Sequence, residues 1–473
     1  MSAGSTTSRL RALRSSLGRY LAPSPAAEPA GDLGRLELGV LVGAALVLAT
    51  VLGLLRLGWS DSLNTIWAED GPIYLQAALT QGFWHAVFSP YAGYLVFVPR
   101  LIAEIATLVP LQYASAAIAI VSSLIAALSG FAIWVASGGH IRSPYLRLAL
   151  ALATAFAATA GQETVASAAY APWFMLVAAF WLLFWRPRTV ASATAGGLFL
   201  LATGLSTPGV WFFLPVALLR AATIRDARDG VLMGGYAVGA IVQVPVVLGQ
   251  QQGEPIWTSH IWTAYVQRVL DGGVFGERLG GNLWSDLGWP FLVLLIAALL
   301  VGFAVGLRRA GPSSRWFVGL ALPTSAVMFV LSAYQRSVGF NIFWSPESSG
   351  GTASRYVLVP ALLLLSAIAV TVDGAVRRHR REPGLAWPVV ATLALVGVAV
   401  ASSFNVSNPA ARGQPYWEDA LRAAADKCLS HGEETAGIAT SPSPFGVQIP
   451  CEEIASFADE RIRARGGQAS VGP

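Results

Sequence analysis

The sequence predicts an all-α polytopic membrane protein with about eleven transmembrane helices. Of its 473 residues, 55% are hydrophobic and 12% are charged, and the mean hydropathy is +0.58, whereas about a quarter of the residues in a soluble domain are charged. Apolar runs of about the length that a spanning helix needs recur along the chain. Arginines gather in alternate connections between these runs, as the positive-inside rule describes.

Residues 1–35 are polar and contain several arginines, which predicts a disordered basic cytoplasmic tail. The first apolar run, 37–57, lacks a small-residue cleavage site after it, so we interpret it as a retained anchor. A transmembrane domain over 36–404 then contains the remaining predicted spans. These lie near 113–136, 146–162, 168–185, 189–205, 208–221, 231–249, 289–307, 316–334, 356–372 and 386–404.

Charge asymmetry predicts a cytoplasmic N-terminus, because the connections on that side hold most of the arginines. An odd number of spans then places residues 405–473 outside the cytoplasm. The only two cysteines, Cys428 and Cys451, lie in this tail, and two cysteines in one polar segment indicate a disulfide formed in an oxidising compartment. Two free thiols are the alternative.

Lys427 is the only lysine, and alanine and glycine are abundant. This composition is typical of a GC-rich bacterial genome and favours a bacterial plasma membrane as the location. In a membrane protein the basic excess mainly sets orientation, so it does not indicate nucleic acid as a partner.

The tail predicts a small α/β extracytoplasmic domain. Residues 415–430 have helical spacing, and two β-like runs follow at 436–440 and 445–449. A unit of this size cannot hold itself together by core burial alone. We therefore expect a Cys428–Cys451 bridge and contacts with the outer loops to stabilise it.

The first outer loop, 58–112, contains the adjacent acids Glu69 and Asp70. A carboxylate beside hydrocarbon is costly unless it is wet, paired or bound to a cation. Pro72 suits the first position of a helix, and Asp70 or Gly71 suits the cap before it. We predict amphipathic surface helices over 72–81 and 94–109. Arg100 and Glu104 are spaced to pair on the second helix.

This arrangement resembles the GT-C superfamily of polytopic glycosyltransferases, which use polyprenyl-phosphate sugars as donors. The resemblance lies in a span, an acidic pair in the first outer loop, a surface helix, a turn containing Pro90-Tyr91 and a second apolar helix, and it covers mainly 37–136. It implies that Glu69 or Asp70 is the catalytic base or holds a metal. Some members have His-Pro where this chain has Pro90-Tyr91.

Glycosyl transfer from a lipid phosphate needs a base for the acceptor hydroxyl and cationic groups for the departing phosphate. Arg355 follows the small-residue stretch 348–354 at the start of a span, where free backbone N–H groups favour anions. An arginine that reaches to lipid headgroups is the alternative. Arg100 and Arg336 are further candidates for the phosphate, and Glu163 is a candidate for the same cavity. Predicted lining residues are Tyr91, Tyr94, Trp67, His85 and Tyr356.

A divalent cation, Mg²⁺ or Mn²⁺, is left open, with Glu69, Asp70 and Asp61 as its candidate ligands. The leading hypothesis is a glycosyltransferase that acts on the outer face. Its partners would be a polyprenyl-phosphate-linked sugar, an envelope glycan, lipid or protein acceptor, and membrane lipids. A lipid-linked-sugar transporter or flippase and a non-catalytic envelope-assembly scaffold are the alternatives. The predicted spans have few of the midplane ionisable residues that transporters use.

Overall fold

The protein is an all-α polytopic membrane protein with a small disulfide-linked α/β tail. The computed structural model describes residues 14–24, 35–249, 260–335, 354–377, 386–406, 416–431 and 433–454. Within these ranges, six helices are long and apolar enough to cross a membrane, or seven spans if one bent helix pair is counted once. The predicted number of about eleven spans is therefore not confirmed.

The helices follow one another along the chain with few strands between them. Their bounds are α1 (14–21), α2 (Arg35–Leu55), α3 (Trp59–Asn64), α4 (Gln76–Thr80), α5 (Phe83–Phe88), α6 (Phe97–Ala106), α7 (Ala114–Ala136), α8 (Pro144–Ala155), α9 (Ala171–Leu183), α10 (Val190–Ser206), α11 (Leu214–Ala221), α12 (Ala227–Leu248), α13 (His260–Ala264), α14 (Gly272–Phe275), α15 (Glu277–Arg309), α16 (Pro312–Gln335), α17 (Arg355–Arg377), α18 (Trp387–Ser402) and α19 (Trp417–His431). A π-helical segment, Tyr265–Asp271, joins α13 to α14.

The span count differs because several apolar runs form short or bent helices. Helices α8, α9 and α18 have 12, 13 and 16 residues, which is fewer than the ~20 needed to cross the hydrocarbon core. Helix α10 and the following segment Pro208–Ala221, which contains α11, form an angle of 119° with each other. Residues 156–162, which we predict as the end of a span, belong instead to a non-helical connection over 156–170.

Helix α9 is the centre of the bundle. Its residues are buried on every side except at Trp173, as expected for a helix that is apolar all round. Helices α10 and α12 cross nearby through glycines. A Cβ atom on Gly235 would lie 2.0 Å from the Gly197 carbonyl oxygen, and one on Gly204 would lie 2.7 Å from Gly239. Only glycine permits this approach of two backbones.

The ends of the helices form two distinct regions. The first region, which we call the arginine-rich end, contains 14–24, 137–143, 184–189, 222–226 and 310–313. Residues 14–24, which the sequence predicts to be disordered, contain α1 and pack here: His140 Nε2 lies 3.0 Å from the Leu21 carbonyl oxygen, and Ser313 Oγ donates to that of Tyr20. Residues 14–24 pack against the bundle because Leu21 and Ala22 are apolar and are buried there.

The opposite region, which we call the loop end, contains 56–113, 156–170, 354–355, 403–406 and the tail. Arg56 is buried and holds three of these segments together. Its guanidinium donates to the carbonyl oxygens of Ala157, Ala160, Ser403 and Phe404 at 3.0–3.3 Å.

The tail packs on the loop end as predicted. Cys428 and Cys451 form the predicted disulfide. Strands β3 (Thr435–Ala439) and β4 (Gly446–Pro450) pair antiparallel. Trp417 is buried and donates from its indole N–H to the Leu111 carbonyl oxygen at 2.8 Å. One apolar cluster contains tail residues together with Ile66, Leu75 and Ile102, so the tail and the first loop share a core.

The first loop departs from the predicted surface helices. In place of one helix over 72–81, a 3-10 turn (Ala68–Asp70) is followed by a π-helical turn (Gly71–Leu75) and α4. The Asp70 side chain makes no helix-cap hydrogen bond. A two-stranded hairpin, β1 (Pro90–Tyr91) and β2 (Tyr94–Leu95), precedes α6. Arg100 is buried on α6 and donates to the Ile73 carbonyl oxygen at 3.5 Å. Arg100 and Glu104 do not form the predicted ion pair with each other.

Candidate functional site

The two adjacent acids have different surroundings. Asp70 is 1% exposed, and both of its carboxylate oxygens are occupied. Oδ2 accepts the backbone N–H of Ala168 at 3.0 Å, and Oδ1 accepts that of Ala169 at 2.8 Å. Asp70 therefore ties the first loop to the connection between α8 and α9.

Burial raises the pKa of Asp70 to about 7, against its ordinary value of 3.8. Desolvation is the largest cause, and the two backbone N–H donors oppose it because they favour the charged carboxylate. The carboxylate of Glu69 adds a small further increase. Asp70 is thus a group whose protonation changes near neutral pH.

Glu69 is half-buried and is joined to an arginine through a tyrosine. The Tyr170 hydroxyl lies 3.4 Å from Glu69 Oε2 as donor, and it accepts a hydrogen bond from Arg355 Nη1 at 2.7 Å. The Arg355 guanidinium also lies 5.3 Å from the centre of the Tyr170 ring. The structure thus brings together two residues that are 286 positions apart in sequence.

Arg355 is held by a second acid. Glu163 Oε2 lies 3.5 Å from Arg355 Nη1, and Glu163 Oε1 accepts the backbone N–H of Arg355 at 3.2 Å and the hydroxyl of Ser354 at 3.1 Å. The Arg355 side chain keeps 27% of its surface exposed. It is therefore oriented by its neighbours and still accessible from solvent.

Backbone strain is concentrated around these groups. In the described part of the chain, positive φ angles at non-glycine residues occur at Ala68, Ala92 and Ala166, at 43°, 51° and 54°. Ala68 precedes the acid pair, and Ala166 lies in the connection that binds Asp70. Such conformations cost about 1–3 kcal/mol each and are found preferentially at functional sites.

The tail covers one side of the acid pair. The Ser441 N–H donates to the Ile66 carbonyl oxygen at 3.0 Å, and the Ala68 N–H donates to the Ser441 carbonyl oxygen at 2.5 Å. Phe445 packs against Trp67, Ala68 and Tyr170. A segment more than 370 residues from Glu69 and about 270 from Tyr170 in sequence thus shapes the surroundings of both residues.

Tyrosines of the first loop lie on another side. Tyr74 is buried, contacts Tyr91 edge to face at 6.1 Å and lies under the Arg100 guanidinium. Burial, followed by Tyr94, Asp70 and Glu69, raises the pKa of the Tyr74 hydroxyl. Tyr91 and Tyr94 remain half-buried.

The other predicted site residues have varied positions. Trp67 and Tyr356 are buried and pack near Tyr170 and Trp173, so they support the site from behind. His85 is exposed on α5. Arg336, the third candidate for the phosphate, lies outside the described residues.

A metal site is not built from the described residues. Among them, no three His, Cys, Asp or Glu side chains come together as a metal would need. Both Asp70 oxygens accept backbone N–H groups, and Asp61 Oδ1 accepts the Tyr416 hydroxyl at 3.1 Å. We therefore derive no step through a divalent cation.

Sequence reasoning missed Tyr170 as a member of the site. It lies within a run of small residues that we predict as the start of a span, so its polar hydroxyl gave no separate signal. Glu163, seven residues earlier in the sequence, was the available indication, because an acid between two apolar runs needs a partner. That partner is Arg355.

Comparisons with known proteins do not establish a family. No family model matches the chain, and no curated protein matches it. A solved structure of the Archaeoglobus fulgidus oligosaccharyltransferase, tethered with an acceptor peptide containing the NVT sequon via a disulfide bond, is similar at 13% identity with a TM-score of 0.32. The match covers 82% of this chain and 57% of that protein's length. A similarity with a TM-score this low does not establish a fold family or an activity.

Proposed function

We propose that this protein is a GT-C-like membrane glycosyltransferase. It moves a sugar from a polyprenyl-phosphate donor to a cell-envelope glycan, lipoglycan or protein at the loop end, which faces away from the cytoplasm. The observation that carries the proposal is the chain of contacts from Glu69 through Tyr170 to Arg355. It provides a base and a cation, the two groups that this reaction needs.

In the proposed step, the acceptor hydroxyl oxygen bonds to the anomeric carbon of the sugar while the bond from that carbon to the donor phosphate oxygen breaks. Glu69 takes the hydroxyl proton. The departing phosphate keeps the bonding electron pair, and Arg355 stabilises the charge that develops on it. Because attack and departure occur on opposite sides of the carbon, the configuration inverts.

Glu69 is a better base than Asp70 on geometric grounds. Both oxygens of Asp70 accept backbone N–H groups inside the protein, so neither is available to a substrate hydroxyl. Glu69 is half-exposed. We therefore assign proton abstraction to Glu69 and assign to Asp70 the positioning of the loop that carries it.

Tyr170 positions both partners. Its hydroxyl accepts from Arg355 and donates to Glu69, so it holds the two charges at a fixed separation without neutralising either. A phosphate that binds Arg355 is then brought close to the base. The half-buried Tyr91 and Tyr94 are the proposed contacts for sugar, while Arg100 supports Tyr74 from the interior.

The test is transfer activity of purified full-length protein with a panel of radiolabelled polyprenyl-phosphate sugars and envelope acceptors. Glu69→Gln is expected to lower kcat by about 10²–10⁴-fold, the usual contribution of general base catalysis. Arg355→Gln should lower kcat by a similar factor and also raise KM for the donor, because it contacts the phosphate.

Asp286→Asn is the matched control, because Asp286 is an exposed acid on α15 that makes no contact with the site. It should leave both constants unchanged. Full transfer activity in Glu69→Gln would contradict the assigned base. Donor translocation across proteoliposome membranes, without transfer and unaffected by both variants, would favour the transporter.

A further inference from the structure

The arginine-rich end contains an open cavity that the proposed function does not use. Its volume is about 360 Å³, and it is lined by Arg14, Ser15, Arg19, Thr223, Ile224 and Arg225. Small-molecule sites have volumes of about 300–1,000 Å³. The cavity lies between α1 and the connection from α11 to α12.

The positions of its arginines come from packing. Gly18 is buried against the 222–226 connection, and a Cβ atom there would lie 3.0 Å from Arg225 Nη2. Arg14 Nη2 donates to the Ile224 carbonyl oxygen at 3.4 Å, and Arg19 Nη2 donates to Ser16 Oγ at 3.3 Å. Close packing of Gly18 against the side chains of Thr223 and Arg225 thus brings three guanidinium groups to one opening.

Nearby acids do not neutralise these arginines. Asp229 is buried and paired with Arg220, and Asp226 is paired with Arg228 at 2.5 Å. In the described residues, the Arg225 guanidinium forms no hydrogen bond or ion pair. Partial burial, followed by repulsion from Arg186, Arg220 and Arg19, lowers the pKa of Arg225, and Asp229 opposes this shift. Among the described residues, no acid pairs directly with the arginines of the cavity, so its lining is positively charged.

We propose that this cavity binds a phosphate group, and that the headgroup of an anionic phospholipid is its source. Guanidinium groups bind phosphate oxygens through paired N–H donors. The cavity lies at the ends of apolar helices, where headgroups lie. Basic pockets between spans on the cytoplasmic side are known to bind anionic headgroups. A soluble phosphate compound is the other source of the same chemistry.

The experiment compares purified, delipidated full-length protein with two triple variants. The cavity variant is Arg14→Gln, Arg19→Gln and Arg225→Gln. The control variant is Arg142→Gln, Arg308→Gln and Arg309→Gln, which removes the same charge from the same end but not from the cavity. Phosphatidylglycerol binding is measured by native mass spectrometry, and inorganic phosphate binding by calorimetry.

Phosphatidylglycerol binding should weaken about a hundredfold in the cavity variant and much less in the control. If the cavity variant lost inorganic phosphate binding but bound phosphatidylglycerol unchanged, the phosphate site would be supported and its ligand would be a soluble phosphate compound. Equal phosphatidylglycerol binding in all three proteins without saturable phosphate binding would overturn the proposal. If the triple variant does not fold, Arg225→Gln alone should weaken binding about fivefold, and an unchanged affinity would overturn the proposal as well.

Discussion

The two ends of the helical bundle use arginine in different ways. At the loop end, Arg56 and Arg355 are held by carbonyl, carboxylate and hydroxyl oxygens of distant segments. At the arginine-rich end, Arg14, Arg19 and Arg225 are exposed, and none of them forms an ion pair with an acid among the described residues. The same residue type thus builds a specific site at one end and supplies mainly charge at the other. Burial determines which role it has, because a buried cation must find partners.

The acidic residues also differ between the two ends, since those at the arginine-rich end have partners of positive charge or backbone N–H groups. Asp70 at the loop end has two backbone donors and, within the described part of the chain, no cation paired with it. At the other end, Asp229 and Asp226 are paired with arginines, and Asp373 accepts the N–H groups of Arg142 and Ser143. At the loop end, Tyr170 lies between Glu69 and Arg355, and the acid paired with Arg355 is Glu163.

The largest expected difference in stability is between variants of Arg56 and of Arg225. Arg56→Gln should lower the free energy of unfolding by about 3–5 kcal/mol, because four carbonyl oxygens of two segments lose a charged donor. Arg225→Gln should change it by no more than about 0.5 kcal/mol. The measurement is SDS titration of both purified variants. Equal losses would show that the two ends do not differ as described.

A second prediction concerns the pH dependence of the two aspartates. The folded pKa of Asp70 is raised to about 7 from 3.8, so folding favours its protonated form. Its effect on stability is most favourable below pH 4 and is lost as pH rises to about 7. This loss is at most about 4 kcal/mol, and Asp70→Asn should remove it.

Asp226 provides the opposite case. The backbone N–H of Asp229, followed by Arg228, lowers its pKa, so its contribution is present above pH 3.8 and is lost at lower pH. Melting temperatures of Asp70→Asn and Asp226→Asn measured from pH 3 to 8 test both signs. If the melting temperature of Asp70→Asn depended on pH between 4 and 7 in the same way as that of the wild type, the assignment to Asp70 would be contradicted.

The smallest expected effect concerns Tyr170. Tyr170→Phe removes one hydroxyl and both of its hydrogen bonds, so kcat should fall about tenfold with little change in KM. Tyr145→Phe, an exposed tyrosine on α8, is the control and should match the wild type in both measurements.

The sequence predicted several elements because their causes are local. Apolar length predicted α2, α7, α12, α15, α16 and α17 as membrane-crossing helices. The β-like runs 436–440 and 445–449 predicted β3 and β4, and two cysteines in one segment predicted the disulfide. The non-helical connection 156–170 was not predictable in the same way, because its alanines suit a helix and Asp70 stabilises it from another part of the chain.

Composition and hydropathy by themselves determined the class of protein, and the acidic pair after the first predicted span marked Glu69 and Asp70 as candidates. Only the tertiary structure decided that Asp70 is enclosed by two backbone donors, that Glu69 is half-exposed and that Tyr170 joins it to Arg355. The physical reason is that hydrophobicity acts along a local stretch of chain, whereas the partners of a buried charge are whichever groups folding brings within hydrogen-bond distance.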